Sequence, residues 1–324
     1  MKKLLILFLV LLICLPSIIA CSGPTNSINP DTSSIRDAGS IRSVWSTMTS
    51  NTNNNLAGVW VSSSSNAFAV GDGGIILHYD GNNWSLMSSG TTDDINGIWG
   101  SSSSDIFAVG YAGMILHYDG HTWSPTFSGA SDDFNSIWGS SKSDIFAVGR
   151  SSIFHYDGRS WTSMNSGNQG GINGIWGSSE SNVLDVCAGN NILQYNGKTW
   201  NTIYSINGGE LSGIWGSSVS NIFAVGVFTN LLNGRSVGVI LHYNGSGWSH
   251  TTDLPPDNFL TGIWGSNGEN VYVVGDGGTI WRYDGNGWSS PPSGTSVDLS
   301  GVWGSSATNV FAVGKGGTIL HYRP

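Results

Sequence analysis

The chain has 324 residues, only 10% of them charged, and a formal net charge of −9. An acidic chain without a basic stripe lacks the electrostatic footprint of a nucleic-acid-binding protein, so nucleic acid is not expected as a partner. Its 47 glycines and 15 tryptophans, with many Ser and Asn residues, predict an all-β protein rich in tight turns.

The N-terminus has the pattern of an export signal. A short basic start precedes an unbroken apolar run from Leu4 to Leu15, which is shorter than the roughly 20 apolar residues of a membrane span. Residues 1–20 are therefore predicted to be a signal peptide. Their end, Ile-Ile-Ala followed by Cys21, resembles the lipobox of bacterial lipoproteins. That resemblance implies a lipid on Cys21, which anchors the protein to a membrane of the cell envelope, at the cell surface or in the periplasm. Ordinary cleavage that leaves a free Cys21 is the alternative.

Residues 21–40 are predicted to form a flexible tether, because Ser, Asn, Asp and Pro dominate them and large apolar side chains are few. Beyond the tether the sequence contains a single cysteine, Cys187, so the domain has no internal disulfide. Cys187 follows an apolar segment at a position where other repeats have Gly. This placement predicts a small, buried thiol.

Two tryptophan motifs recur along the rest of the chain. The first, Gly-Ile-Trp-Gly around Trp99, places its tryptophan at positions 60, 99, 138, 176, 215, 264 and 303. The second, Tyr-Asp-Gly-x-x-Trp ending at Trp123, places its tryptophan at positions 84, 123, 161, 200, 248 and 288. The chain stops where a seventh copy of the second motif would begin, and Val-Trp-Ser around Trp45 supplies the missing half.

The spacing of the repeats predicts the fold. Successive copies of the first motif lie 39, 39, 38, 39, 49 and 39 residues apart, and a period near 40 is typical of propeller blades. Each copy contains four short apolar segments separated by Gly, Ser, Asp and Asn, which favours strands over helices. Four antiparallel strands in each of seven units predict a seven-bladed β-propeller, closed by an N-terminal strand that completes the last blade. The domain is predicted over residues 41–324, with the closing strand over 41–50 and blades over 56–91, 95–129, 134–167, 172–206, 211–252, 260–293 and 299–324.

The single spacing of 49 marks an insertion in the fifth blade. Residues 226–238 stand where other blades have a four-residue turn between their second and third strands. The insertion adds Phe228, Leu231 and Leu232 to a predicted loop. Two interpretations stay open, an apolar contact site and a loop that folds onto its own blade.

One repeat also carries a family resemblance. Residues 106–123 read Ile-Phe-Ala-Val-Gly-x-x-Gly-x-Ile-Leu-His-Tyr-Asp-Gly-x-x-Trp. This pattern resembles bacterial repeats grouped with the BNR, Asp-box and photosystem II assembly-factor propellers, over residues 44–324. The resemblance implies the fold and leaves the ligand open, because the chain departs from the Asp-box spacing and lacks the basic surface patch of the photosystem factors.

A histidine precedes the repeated tyrosine in five blades, while Gln194 and Arg282 replace it in the other two. The histidines are His78, His117, His155, His242 and His321. Equivalent positions on separate blades diverge radially and cannot share one ion. We therefore expect a structural hydrogen bond at each position, and no metal or other cofactor. The repeated tryptophans are expected to pack between blades, with sugar-stacking platforms as the alternative.

No catalytic group of residues can be assembled from the sequence. A sialidase-like site needs several convergent arginines beside an acid/base carboxylate and a nucleophile. Only Arg150 and Arg235 fall on loops between second and third strands. No Ser-His-Asp motif or phosphate loop is visible. The chain is therefore predicted not to be an enzyme, and a degenerate glycosidase is the remaining catalytic alternative.

The repeats differ most in the loops before each first strand and between the second and third strands. These loops share one face of a propeller, and loops on a rigid scaffold usually carry the binding residues. The candidate binding residues are Asp72, Asp93, Asp94, Tyr111, Asp132, Asp133, Phe134, Arg150, Phe228, Leu231, Leu232, Arg235, Asp257, Phe259 and Asp276. The leading hypothesis is a monomeric, lipid-anchored scaffold that binds a protein or peptide through this face. A carbohydrate-binding lectin is the alternative, and acidic loops that serve only solubility are the third interpretation.

Overall fold

A computed structural model describes residues 45–150, 152–167, 170–188, 191–206, 208–229, 234–251, 254 and 258–323 of the chain. These residues form seven four-stranded antiparallel sheets. The first strands of neighbouring sheets contact one another, so the sheets form a ring. The predicted seven-bladed β-propeller is confirmed. We letter the strands of each blade a to d from the centre to the rim.

The strands follow the repeats closely. Blades 1 and 2 contain β2 (Leu56–Ser63), β3 (Asn66–Gly71), β4 (Ile76–Tyr79) and β5 (Trp84–Met87), then β6 (Ile95–Ser102), β7 (Asp105–Gly110), β8 (Ile115–Tyr118) and β9 (Trp123–Thr126). Blades 3 and 4 contain β10 (Phe134–Ser141), β11 (Asp144–Gly149), β12 (Ile153–Tyr156) and β13 (Trp161–Met164), then β14 (Ile172–Ser179), β15 (Asn182–Cys187), β16 (Asn191–Tyr195) and β17 (Trp200–Ser205). Blades 5 and 6 contain β18 (Gly209–Ser218), β19 (Asn221–Thr229), β20 (Ser236–Tyr243) and β21 (Trp248–Thr251), then β22 (Leu260–Asn267), β23 (Asn270–Gly275), β24 (Ile280–Tyr283) and β25 (Trp288–Ser289). Blade 7 contains β26 (Leu299–Ser306), β27 (Asn309–Gly314), β28 (Ile319–Tyr322) and, as strand d, β1 (Trp45–Met48).

The N-terminal strand closes the ring as predicted. β1 pairs antiparallel with β28, from Trp45 opposite Tyr322 to Met48 opposite Ile319. The indole of Trp45 is buried and contacts the Tyr322 ring at 5.4 Å between centroids. It also meets the ring of Tyr272, on the preceding blade, at 6.1 Å. Trp45 therefore occupies the same place in blade 7 that Trp84 and its equivalents occupy in theirs.

The hydrophobic core lies between the blades. Strand b is buried on both faces, as β7 shows with Ile106, Phe107, Ala108 and Val109 all 0–4% exposed. A sheet that is covered on both sides needs apolar residues in succession rather than in alternation, which explains the repeated Ile-Phe-Ala-Val run.

Each strand a begins with a β-bulge. In blade 2 the register passes from Ile95 opposite Gly110 to Gly97 opposite Val109, which leaves Asn96 unpaired. The first residue of the strand points into the core as a result. Phe134, the first residue of β10, is fully buried. Its predicted place in an exposed binding loop is wrong, because the strand starts one residue before the bulge.

The described part of the insertion in blade 5 extends the sheet. β19 and β20 pair through Phe228 opposite Val237 and Thr229 opposite Ser236, and β18 lengthens beside them. Phe228 is half-buried and packs against the core. Its placement in a loop is therefore wrong, because continuing the ladder satisfies the backbone hydrogen bonds of the added residues.

Several predicted features lie outside the described residues. They include Cys21, Leu231, Leu232, Asp257 and the boundaries at residues 20 and 40. Among the residues that the structure does describe, no helix is long and apolar enough to cross a membrane.

Candidate functional site

The repeated histidines form structural hydrogen bonds, as predicted. In each blade the strand-c side chain bonds to the first residue of strand b. His117 contacts Asp105 at 2.7 Å, Gln194 donates to Asn182 at 2.6 Å, and Arg282 donates to Asn270 at 3.2 Å. The five imidazoles also lie over the strand-b phenylalanines, with centroids 3.9 to 4.6 Å apart. Burial, together with the neighbouring Arg323, lowers the pKa of His321 to about 4, so this ring is neutral at physiological pH.

The two loop types predicted to share one face do so. We call the face formed by the d–a loops and b–c turns the loop face, and the face formed by the a–b turns and c–d hairpins the opposite face. In four blades the b–c turn is a short 3-10 turn whose middle residue has positive φ, from 51° at Ala112 to 65° at Gly73. The four turns are Asp72–Gly74, Tyr111–Gly113, Asp276–Gly278 and Lys315–Gly317.

A side chain from the next blade holds each of these turns. The carboxylate of Asp94 accepts the N–H of Gly73 at 2.8 Å, and Asp133 accepts that of Ala112 at 2.9 Å. The remaining two pairs are Asp298 with Gly277 at 2.8 Å and Asn55 with Gly316 at 3.0 Å. The hydrogen bond from the Gly277 N–H lowers the pKa of Asp298 most, and the hydrogen bond from Lys315 lowers it further. Asp94 and Asp133 therefore fasten neighbouring blades together, in addition to any role toward a ligand.

The other candidate binding residues differ in how accessible they are. Asp93, Arg150 and Arg235 are exposed, and Tyr111 and Phe259 are exposed by 55% and 40%. Asp132 and Asp276 are half-buried. Burial is the main cause of the raised pKa of Asp276, and the negative charge of the nearby Asp298 raises it further. Asp72 accepts a hydrogen bond from the amide of Asn55 at 2.8 Å.

The strands a surround a central cavity of about 190 Å³. The bulge residues line its end at the loop face. They are Ala57, Asn96, Asn135, Asn173, Ser212 and Thr261. Seven aliphatic side chains form a ring deeper in the cavity. They are Val59, Ile98, Ile137, Ile175, Ile214, Ile263 and Val302.

The bulge residues of blades 2, 3 and 4 are asparagines, and each side chain reaches across to the next blade. The Nδ2 groups of Asn96, Asn135 and Asn173 each donate to a backbone carbonyl there at 2.8 Å. Because the partner is a carbonyl, the amide nitrogen must face it and the amide oxygen must face away. No described residue donates to these three Oδ1 atoms, so each is left as an acceptor on a cavity-lining side chain.

The inner tryptophans pack between blades, with one exception. Six glycines of strand a lie so close to the indole of the preceding blade that an added Cβ would stand 2.5 to 2.8 Å from the ring. They are Gly100, Gly139, Gly177, Gly216, Gly265 and Gly304. Blade 1 has Val61 at this position, so the indole of Trp303 cannot take the same seat.

Trp303 instead turns toward the axis. Its indole packs against the hydrophobic clusters around blades 1, 2 and 3. It also packs against the large cluster that includes residues of blades 4 to 7. The cluster between blades 2 and 3 lies at least two blades away from blade 7, so one side chain can reach both only near the centre. Trp303 lines the cavity one residue beyond Val302, toward the opposite face.

Three clefts also lie on the loop face, between the d–a loop and b–c turn of blades 6, 7 and 1. Gly, Ser, Thr, Asn, Pro, Met and a few aliphatic residues line them, and none of these lining residues is aromatic. The stacking platform expected of a lectin therefore has no counterpart in the three clefts. Within the described part of the chain, no group of three or more His, Cys, Asp or Glu side chains is placed to hold a metal ion.

Comparisons with known proteins agree with this architecture. No protein-family model matches the chain, and no curated protein sequence matches it. Among solved structures, YCF48 bound to D1 peptide is similar with a TM-score of 0.71 and 14% identity, over 87% of this chain and 95% of that one. YCF48 from Cyanidioschyzon merolae has a TM-score of 0.66 and 15% identity, over 87% and 99%. The WD40 β-propeller domain of Doa1 has a TM-score of 0.69 and 11% identity, over 86% and 95%.

At these identities the likeness shows the fold alone. The resemblance to photosystem II assembly-factor propellers is confirmed at that level.

Two features that shape the cavity were missing from the sequence-based candidates, namely three asparagines that line it and Val61, which is next to Trp60 on strand a. Asn96, Asn135 and Asn173 follow the first apolar residue of each strand a, and the repeated Ile/Phe-Asn pair could have revealed them. Val61 is visible as the one departure from the Trp-Gly pair. The Ile/Phe-Asn pair and the departure at Val61 are both visible when the repeats are aligned. Their relation to the cavity depends on the bulges and on closure of the ring, which the sequence does not show.

Proposed function

We propose that this protein is an exported, lipid-anchored propeller that binds a protein or peptide segment through its loop face, without catalysis. The observation that carries the proposal is the cavity at the centre of that face. Three asparagines line this cavity, and exposed Asp93 and Tyr111 lie on a loop and a turn of the same face. The fold is one in which YCF48 binds a D1 peptide, and WD40 propellers share it. A pocket with a few polar groups on a rigid scaffold is the usual form of a binding site.

Binding by the loop face can be tested with a matched pair of variants. Peptides that bind the full-length chain would first be selected from a random-peptide display library. We expect the double variant Asp93→Lys and Tyr111→Ala to weaken their binding by about tenfold or more, because an exposed aromatic and a charge at an interface contribute most to affinity. The control is Glu180→Lys with Val219→Ala, which makes the same kinds of change on exposed a–b turns of the opposite face. Equal losses from both double variants, measured by fluorescence anisotropy, would contradict the proposal.

Lipid anchoring is a separate part of the proposal and has its own test. The variant Cys21→Ser should move the protein from the membrane fraction to the soluble fraction, because the thiol that would carry the lipid is gone. Fractionation of cells that express either form provides the measurement. Cys187→Ser is the control, since Cys187 is buried in the propeller. Unchanged membrane retention of Cys21→Ser would exclude a lipid at this position.

A further inference from the structure

We propose that the central cavity is a blind cup that receives the cationic end of a lysine or arginine side chain from the bound peptide. This inference rests on the proposed peptide binding and adds the chemistry of the residue that anchors the peptide. It follows from three features of the cavity, namely its acceptors, its floor and the charge around its mouth.

The polar atoms that the cavity offers favour a donor. Asn96, Asn135 and Asn173 lie on consecutive blades, and each directs one of its two Nδ2 N–H groups to a carbonyl of the neighbouring blade. Their Oδ1 atoms remain as acceptors on one arc of the mouth. Lysine and arginine side chains have several N–H donors and no acceptor, so they complement the three Oδ1 atoms of this arc.

The deep end of the cavity suits the rest of such a side chain. The aliphatic ring that includes Ile137 and Ile175 lines the wall, and Trp303 lies beyond it, together with three other tryptophans, Trp138, Trp176 and Trp215. Long cationic side chains bury their methylene stems against apolar surface, and an indole face attracts a cation. Trp303 is in this place because Val61 blocks the seat that glycine leaves open in the other six blades. In the proposed cup this indole closes the deep end of the channel, and the end at the loop face is open.

Charge and size agree with this occupant. Asp94 and Asp133 stand two residues before Asn96 and Asn135, on the loop face. None of the described residues that line the cavity is a lysine or an arginine. The loop face also carries Arg150 and Lys315, but its acidic side chains outnumber them. An excess of one sign of charge raises the local concentration of the opposite charge. The volume of about 190 Å³ equals that of about six waters, close to the number of heavy atoms in these side chains.

The first test needs no selected peptide. Full-length protein labelled with 15N-tryptophan would be titrated with N-acetyl-arginine methylamide, N-acetyl-lysine methylamide and the neutral N-acetyl-norleucine methylamide. The Trp303 indole resonance would be assigned with Trp303→Phe. We expect saturable shifts of that resonance with at least one cationic probe, at the millimolar affinity typical of a ligand of about 15 heavy atoms, and none with norleucine. Absence of a saturable shift with either cationic probe would overturn the inference, as would an equal shift with norleucine.

Variants of the cup provide the second test. Asn135→Ser with Asn173→Ser introduces the residue that blades 5 and 7 already have at this position, Ser212 and Ser300. We expect it to weaken the cationic probe by about tenfold. Val61→Gly should let Trp303 return to the usual seat, open the deep end and weaken the probe to a similar degree, with a shift of the free Trp303 resonance. The control is Asn82→Ser with Asn286→Ser, on exposed c–d hairpins of the opposite face. Unchanged probe affinity in both cup variants would overturn the inference.

The outcomes separate the two proposals. If selected peptides depend on Asp93 and Tyr111 but bind equally well when their lysines and arginines become norleucine, the loop-face proposal stands and the cup inference is wrong. If no peptide depends on the loop face while the cationic probe still moves Trp303, the cup binds cations and the peptide proposal is wrong.

Discussion

Asp185 stands at a strand-b position where the other blades have alanine or valine. It is completely buried between blades 3 and 4, where it lies between Val183 and Cys187 on the strand. The Cys187 thiol donates to its Oδ1 at 3.3 Å, and its Oδ2 has no partner among the described residues. Burial raises the pKa of this carboxyl to about 7, and it raises the pKa of the Cys187 thiol well above its ordinary range. The predicted small, buried thiol is confirmed, and its carboxyl neighbour places an unfavourable group in this seam.

The stability of the propeller should therefore depend on pH through Asp185. The carboxyl binds a proton more tightly in the folded state, at a pKa of about 7, than in the unfolded state, near 3.8. The contribution of this carboxyl to the stability of the folded state is complete below its unfolded-state pKa of 3.8. It is lost as the pH rises toward the folded-state pKa of about 7. We expect Asp185→Ala, which installs the residue of most other blades, to raise the free energy of unfolding at pH 8 by up to about 4 kcal/mol. The gain should be much smaller at pH 4.

Chemical denaturation at several pH values measures this effect. Glu180→Gln, an exposed carboxyl in the same blade, is the control and should show no comparable gain. A loss of stability in Asp185→Ala that is the same at pH 5 and pH 8 would mean that the carboxyl acts through packing instead of charge.

At the scale of one element, β1 is the strand most exposed to loss, because it joins blade 7 from the other end of the chain. Its four residues pair with β28, and the hydroxyl of Ser46 also donates to the carbonyl of His321 at 3.2 Å. Each backbone hydrogen bond contributes about 1 kcal/mol net, and the burial of Trp45 contributes about 2–3 kcal/mol.

Two truncations test this element. Removing residues 22–40 should leave the melting temperature unchanged, because the cut stops before β1. Removing residues 22–50 should lower it by roughly 10 °C or more, since a domain of this size loses about 2–4 °C for each kcal/mol. Scanning calorimetry of both proteins decides the matter. If both melt at the same temperature, β1 contributes nothing to the closure of the ring.

Elements also show where sequence-based inference stops. The period and the turn residues predict the strands, because each blade repeats the same local chemistry. They do not predict the bulge in strand a, which reverses the alternation of side chains and buries Phe134 beside two exposed or half-buried aspartates. They also do not separate a long loop from a longer hairpin, as Phe228 shows. Both outcomes depend on hydrogen bonds to a neighbouring strand, and single-strand patterns contain no such information.

At the scale of the whole molecule, the ring is a repeat structure with local departures. Seven equal blades would give an open central channel and equal seams. Val61 removes that symmetry at one seam and Asp185 at another, and the three asparagines mark one arc of the mouth. The repeat itself was predictable from tryptophan spacing. The cavity was not, because the residues that shape it come from all seven blades and only ring closure brings them together.

The break in blade 7 lies between strands c and d, where every other blade has its Tyr-Asp-Gly-x-x-Trp or Tyr-Asn-Gly-x-x-Trp hairpin. Trp45 enters and Tyr322 leaves side by side at that point, on the face away from the cavity mouth. A surface, bead or dye attached through either end of the propeller would therefore sit behind it, and the cup would point outward. An immobilised sample prepared in this way presents every molecule to its ligand in the same orientation.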